Sequence, residues 1–432
     1  MRRLLLTAIL TAAPYVISAQ TDTSTTSFNV NGLNVILRRN TSNEVVAANV
    51  YLLGGAQQLT PATQGIELLL LNASERGTKH FPGDSLRRAV ARLGTRYTTE
   101  PSADWTLVGF TGVRATFDSS WAVLTDRLTA PTLDSMQVEL VRAQMIANLR
   151  REENDPDSVV NHMADSLSFS GHPYGFSPEG TVNTLQSLTL SQLQSYETSQ
   201  MVTSRMLVVI VGNIDRAHLE PLVQQTLAQL PHGSYTWSPP HAPPRLGRVL
   251  ATRSAALPTN YLLGFYPGPS ARDPDYQALR IATAVLSGRF FTEIRSRQNL
   301  SYEVDAPFID RALSSGGIYV TTTDPNATLR LMRSELNRLQ TELIDPDGLE
   351  RLVQQFLTDY FLKNETNGDQ ASFLARAQIY QGDYRAASHF VDDLRRVKPE
   401  DVRRVARQYM HDFRFAYLGK PEALSRDLIA MF

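Results

Sequence analysis

Apolar and polar positions follow two rhythms along the chain, and the same succession of them occurs twice. After a polar Thr/Ser tract, Asn29-Val30 and Leu33-Asn-Val-Ile-Leu37 flank Asn31-Gly32, a strong hairpin signal. The β-branched run 45–53 closes at Gly54-Gly55. Residues 65–73 then read as a helix, with Gly65-Ile-Glu-Leu-Leu-Leu-Leu-Asn72 apolar enough to be buried, and a turn follows over 77–83. Residues 85–93 have helical spacing and stop at Gly94; 96–99 and 104–112 are strand-like. Helices are predicted over 119–128, 134–153 with Asp134 as N-cap, 158–169, 190–196 and 216–230. Met206-Leu-Val-Val-Ile-Val211 is a continuous apolar strand closed by Gly212.

A stretch holding Pro231, Pro239, Pro240, Pro243 and Pro244 fits neither a helix nor a central strand and is predicted to be an extended linker. Beyond it the signals repeat. Strands are predicted at 261–265, 300–304, 317–321 and 413–418, and helices at 275–286, 290–297, 326–343, 347–363 and 399–409. Leu93 and Leu300 are 207 positions apart, and so are Gly212 and Gly419. A period near 200 residues is far too long for a solenoid and implies two similar α+β domains in tandem. The division read from the sequence is 1–19, 20–230, the linker 231–247, and 248–432.

Composition narrows the function classes. The 432 residues are 42% hydrophobic and 20% charged with formal net charge −1, which leaves no electrostatic footprint for nucleic acid. There is no cysteine, so disulfides, thiolate nucleophiles and Cys-ligated zinc are excluded. Arg2-Arg3, the apolar run 4–16 and the small residues Ser18-Ala19 read as a signal peptide cleaved after Ala19. That run is too short to span a bilayer. The expectation is an exported protein, periplasmic, with no membrane span once the signal is removed.

Several strings share their order and spacing with one family. Leu53-Gly-Gly, Gly77-Thr-Lys-His-Phe-Pro82, Glu152-Glu-Asn-Asp-Pro-Asp157, Gly171-His-Pro-Tyr-Gly175 and Val209-Ile-Val-Gly-Asn-Ile-Asp215 lie in the first half. Arg272-Asp-Pro-Asp-Tyr276 and Arg295-Ser-Arg-Gln-Asn-Leu-Ser-Tyr302 lie in the second. Together they resemble the pitrilysin/insulinase family of zinc metallopeptidases, in its processing-peptidase branch. The resemblance implies two tandem domains, each a mainly antiparallel sheet packed with helices, together forming half of a clam-shell.

The family's chemistry rests on His-x-x-Glu-His, two metal ligands and a general base on one helix, with a further Glu about 75 residues on. The matching positions here are Leu68, Leu71, Asn72 and, for the later Glu, Asn148. None can perform its family role, and Glu67, Glu75 and His80 cannot rebuild the site in a shifted register. The resemblance therefore implies no intrinsic zinc and no intrinsic peptidase activity.

It also implies that Arg295 and Tyr302 reach a substrate, the guanidinium fixing carbonyls and the phenol stabilising an oxyanion. Arg297 is an alternative to Arg295. The glycine-rich run usual before the Arg is Leu286-Ser-Gly-Arg-Phe290 here. Members that lost the motif but keep this pair act beside a homologous chain that has it. The expected role is thus a substrate-binding subunit of a heterodimer, holding a peptide for a partner that carries the zinc. A structural or assembly protein retaining only the fold is the alternative.

Overall fold

The computed structural model describes residues 24–243 and 249–432; the predicted signal peptide and linker residues 244–248 lie outside them. The first half builds a six-stranded sheet. Its strands are β1 Thr25–Val30, β2 Leu33–Arg39, β3 Val45–Leu53, β4 Arg96–Pro101, β5 Trp105–Val113 and β6 Met206–Gly212, in the order β1-β2-β6-β3-β5-β4. The predicted hairpin joins β1 to β2, with Asn31 and Gly32 both at positive φ (50° and 85°).

The second half contributes β7 Val249–Ser254, β8 Asn260–Ser270, β9 Val304–Asp305, β10 Phe308–Ile309, β11 Leu313–Thr322 and β12 Arg414–Gly419. Its sheet runs β10-β11-β8-β12-β7, with β9 also paired to β11.

The duplication is visible in the pairing. β6 lies between β2, parallel, and β3, antiparallel; β12 lies between β7, parallel, and β8, antiparallel. Each mainly antiparallel sheet therefore carries one parallel pair at the strand that closes the repeat. Gly212 and Gly419 end those strands with nearly the same φ, 155° and 158°.

The continuous apolar run of β6 follows from burial on both faces. Val208 and Ile210 join the first half's main core beneath helices Ile66–Ser74, Phe117–Thr129 and Ser135–Glu152. Leu207, Val209 and Val211 face the other way. What covers them comes from the second half: helix Asn367–Gln381 lays Ala371, Leu374 and Ala375 against Ile36, Tyr51, Val209 and Val211. The first half reciprocates. Its helix Pro156–Ser168 sets Val160 and Ala164 against Leu263, Phe265 and Ala416 of the second sheet.

A buried carboxylate joins the halves as well. Asp104, 2% exposed, accepts from Tyr174 Oη at 2.5 Å, Tyr380 Oη at 2.7 Å and the Ala312 amide at 2.8 Å. Burial first, and then the Asp104 charge, raise both phenols above their ordinary range. Next to Tyr174, His172 offers Nδ1 to the Tyr174 amide and bonds the His241 carbonyl of the linker through Nε2. The string 171–175 is the joint between two domains and their linker.

Four predicted elements are corrected. The helix expected over 216–230 ends at Gln225, breaks at Thr226 and resumes as a 3₁₀ turn, Leu227–Gln229. The helices expected over 275–286 and 290–297 are one continuous element. The strand expected over 300–304 is reduced to β9, because the Leu300 amide is used to bond the Ile294 carbonyl and cannot join a ladder. Helix Asn367–Gln381 and β7 have no counterpart in the sequence reading.

Candidate functional site

Helix Ile66–Ser74 starts at Gly65, where φ is 82° and a Cβ would press on the Gly180 and Glu179 backbone; only glycine fits. Its first-turn carboxylate, Glu67, points inward. It is 5% exposed, 2.6 Å from Arg205 Nη2, and accepts from Tyr196 Oη at 2.9 Å. Arg205 Nε donates to the Leu53 carbonyl at 2.7 Å, tying the helix to the end of β3. Burial works against the Arg205 charge, but Glu67 and then Tyr196 outweigh it and hold the guanidinium above its ordinary pKa. Glu67 is thus committed to a structural ion pair beneath the helix.

Leu71 is buried, Leu68 and Asn72 are half-buried, and Asn148 is exposed on helix Ser135–Glu152, which packs against this one. Asn148 Oδ1 accepts from Arg151 of its own helix. Two of the four side chains are hydrocarbon and the others are neutral amides. Such a set does not fit zinc, which takes imidazole, carboxylate or thiolate donors. His80 is engaged elsewhere, its Nδ1 2.7 Å from Asp126 Oδ1. Among the described residues no three His, Asp or Glu side chains gather as a metal-binding group.

In the second half, helix Asp275–Phe290 runs directly into a π-helical turn, Phe291–Arg297. Leu286-Ser-Gly-Arg-Phe290 is accordingly the last turn of a helix rather than a loop. Ile294, fully buried, anchors the π turn, and Asn299 at φ 51° reverses the chain towards Tyr302. The reversal brings Arg295 and Tyr302 together. The guanidinium carbon lies 4.7 Å from the Tyr302 ring centroid and 5.1 Å from that of Phe291.

Tyr302 is 81% exposed, and among the described residues the Arg295 N–H groups have no hydrogen-bond acceptor. The guanidinium plane is fixed by stacking while its donor edge stays open. Arg297 instead closes an i,i+4 ion pair with Glu293 at 2.8 Å. Of the two arginines read from the sequence, the geometry associates Arg295 with Tyr302.

A cleft of 1170 Å³ opens beside Asn148 and is lined from both halves. Glu152, Asp157, His162 and Glu179 line it together with Arg253 and Arg311. Burial, and then Glu152, push the Glu179 carboxyl up. The string Glu152-Glu-Asn-Asp-Pro-Asp157 is a family marker in the sequence; folding places Glu152, Glu153 and Asp157 on the wall of this cleft.

Two profiles of one peptidase family match the chain: "Insulinase (Peptidase family M16)" over residues 34–181 and "Peptidase M16 inactive domain" over 187–356. The chain belongs to the M16, or insulinase, peptidase family and carries its inactive C-terminal domain. Mitochondrial-processing peptidase subunit beta of Blastocladiella emersonii is 23% identical over 400 residues, 88% of this chain and 85% of its own. The uncharacterized zinc protease YmxG of Bacillus subtilis is 21% identical, over 90% and 96%. Among solved structures, the peptidase M16 inactive domain from Pseudomonas fluorescens superposes with TM-score 0.84 at 16% identity, over 92% of this chain and 98% of that one. At that identity the likeness concerns the fold alone. Among the described residues no helix is long and apolar enough to cross a membrane.

Proposed function

We propose that this chain is the substrate-binding, non-catalytic subunit of an exported, heteromeric zinc metallopeptidase. It forms a heterodimer with a homologous subunit bearing the zinc motif, and zinc belongs to that partner. Arg295 and Tyr302 contact the peptide held there, the guanidinium through carbonyl oxygens and the phenol at the attacked carbonyl as charge develops.

The observation that carries the reading is an asymmetry between the halves. Side chains unable to bind zinc occupy the metal positions of the first, while the second keeps Arg295 and Tyr302 stacked, exposed and uncommitted. Co-purification with a zinc-motif homologue, followed by peptide turnover, is the test. Tyr302→Phe should lower turnover by roughly 10²-fold, the scale of losing one oxyanion donor; an unchanged rate refutes the assignment. Stoichiometric zinc and peptide hydrolysis in the isolated chain would refute the division of labour.

A structural or assembly role is the second reading. It is favoured by the match to cytochrome b-c1 complex subunit 1 of Homo sapiens, 23% identical over 59% of this chain. On that reading Arg295→Ala leaves partner function intact.

A further inference from the structure

A small cavity, 30 Å³, lies where the end of helix Pro156–Ser168 meets the second sheet. Its lining includes Ser168, Phe265, Pro267, Ser315 and Arg414. Two of these side chains carry a hydroxyl with no hydrogen-bond partner: Ser168, 8% exposed, and Ser315, 1% exposed. They come from different halves of the chain.

Strand register puts them on the same side. Ser315 pairs with Pro267 two positions beyond the Gly317–Phe265 pair, so it shares the face on which Phe265 meets the helix. Arg414, opposite Phe265 in β12, points there too, and its Nη1 donates to the Leu167 and Ser168 carbonyls at 3.0 and 2.8 Å. Tyr266 lines the cavity as well and its hydroxyl is also unpartnered, but it pairs with Gly316, so its ring packs on the opposite face of the sheet, against Phe413.

Buried hydroxyls without partners are rare in native proteins, and two lining one otherwise mainly apolar cavity call for a shared guest that can bond both. The volume exceeds the roughly 10–15 Å³ of accessible space that one water molecule needs. Asp412 lines the same cavity as Arg414, so its walls carry both signs of charge and do not select an ion. We propose that one water molecule is bound here, bridging Ser168 of the first half to Ser315 of the second and fastening the end of the exchanged helix to the sheet it covers.

Thermal unfolding of the full chain separates a wet cavity from a dry one by sign. Ser168→Ala and Ser315→Ala should each lower Tm by about 1–2 °C. The double variant should lose less than the sum, because the water leaves with the first hydroxyl. The deficits should be equal in chloride and sulfate buffers. A rise in Tm, the result of deleting an unpartnered hydroxyl from a dry cavity, overturns the proposal; so do strictly additive losses, or a deficit seen only with chloride, which would mark an anion. Crystallographic density for a water in contact with both serines is the direct confirmation, and an empty cavity refutes it.

Discussion

Replacing Asp104 by alanine should loosen the joint between the two halves more than any other single truncation at the seam. Three donors converge on the carboxylate: Tyr174 Oη, Tyr380 Oη and the Ala312 amide. The amide and the Tyr380 phenol belong to the second half, while Asp104 and Tyr174 belong to the first. With the acceptor gone, each donor is stranded in a region where Tyr174 is 4% and Tyr380 4% exposed. A stranded buried donor costs about 1–3 kcal/mol, and water entering the vacated space recovers part of that. Three donors at the lower end give a loss of about 3–5 kcal/mol. Asp104→Asn, which keeps one acceptor oxygen, should lose about 1–2 kcal/mol. Urea unfolding, followed by tryptophan fluorescence, measures both. Trp105 packs against Tyr380 at 5.4 Å and so reports on this joint. In the Asp104→Ala background Tyr380→Phe should cost almost nothing, against about 1–2 kcal/mol in the wild type. An Asp104→Ala protein within about 1 kcal/mol of wild type, or an undiminished Tyr380→Phe effect in that background, would refute the reasoning.

Further expectations concern other buried charges. Arg205→Met abandons Glu67 beneath the vestigial helix and should cost about 3–5 kcal/mol by chemical denaturation, whereas Glu67→Leu/Arg205→Met should recover most of it; equal losses in both would contradict the pairing. Asp310 is half-buried, and desolvation alone would raise its pKa, but Arg280 and Arg376 outweigh it and hold the carboxyl below the ordinary carboxylate value. Its contribution is therefore full above about pH 4 and lost as pH falls through the depressed value. The stability gap between wild type and Asp310→Asn should close in acid, and a gap independent of pH would count against it. Leu71→Glu places a carboxylate at a position 1% exposed and should cost at least about 2 kcal/mol without conferring zinc uptake, checked by calorimetry and metal analysis.

The sequence made the repeat legible because its clearest signals are local: a two-residue hairpin at Asn31-Gly32, an all-apolar strand at 206–211, and glycines in matching places. The side chains at the positions matched to the zinc motif were equally plain, since a leucine at 68 or 71 offers no ligand atom whatever the fold. What stayed hidden depends on long-range placement. Helix Asn367–Gln381 has an N-cap, Thr366, and apolar residues at Ala371, Leu374 and Ala375, but it follows a polar stretch and its partner surface lies far back in the first half, on Ile36, Tyr51, Val209 and Val211. The corresponding helix Pro156–Ser168 in the first copy was the signal that could have found it. The resemblance pairs Arg295 with Tyr302 and leaves Arg297 as the alternative; the π turn that separates the two arginines by shifting their phase was out of reach.

The exchanged helices bear on how such a chain could arise. Neither half can close its own sheet: without Asn367–Gln381 the first leaves Ile36, Tyr51, Val209 and Val211 bare, and without Pro156–Ser168 the second leaves Leu263, Phe265 and Ala416 bare. A single-copy ancestor with this topology would have been obliged to dimerise, each protomer lending its helix to the other. Fusing two such protomers through a proline-rich tether turns that association into an intramolecular event that no dilution can reverse.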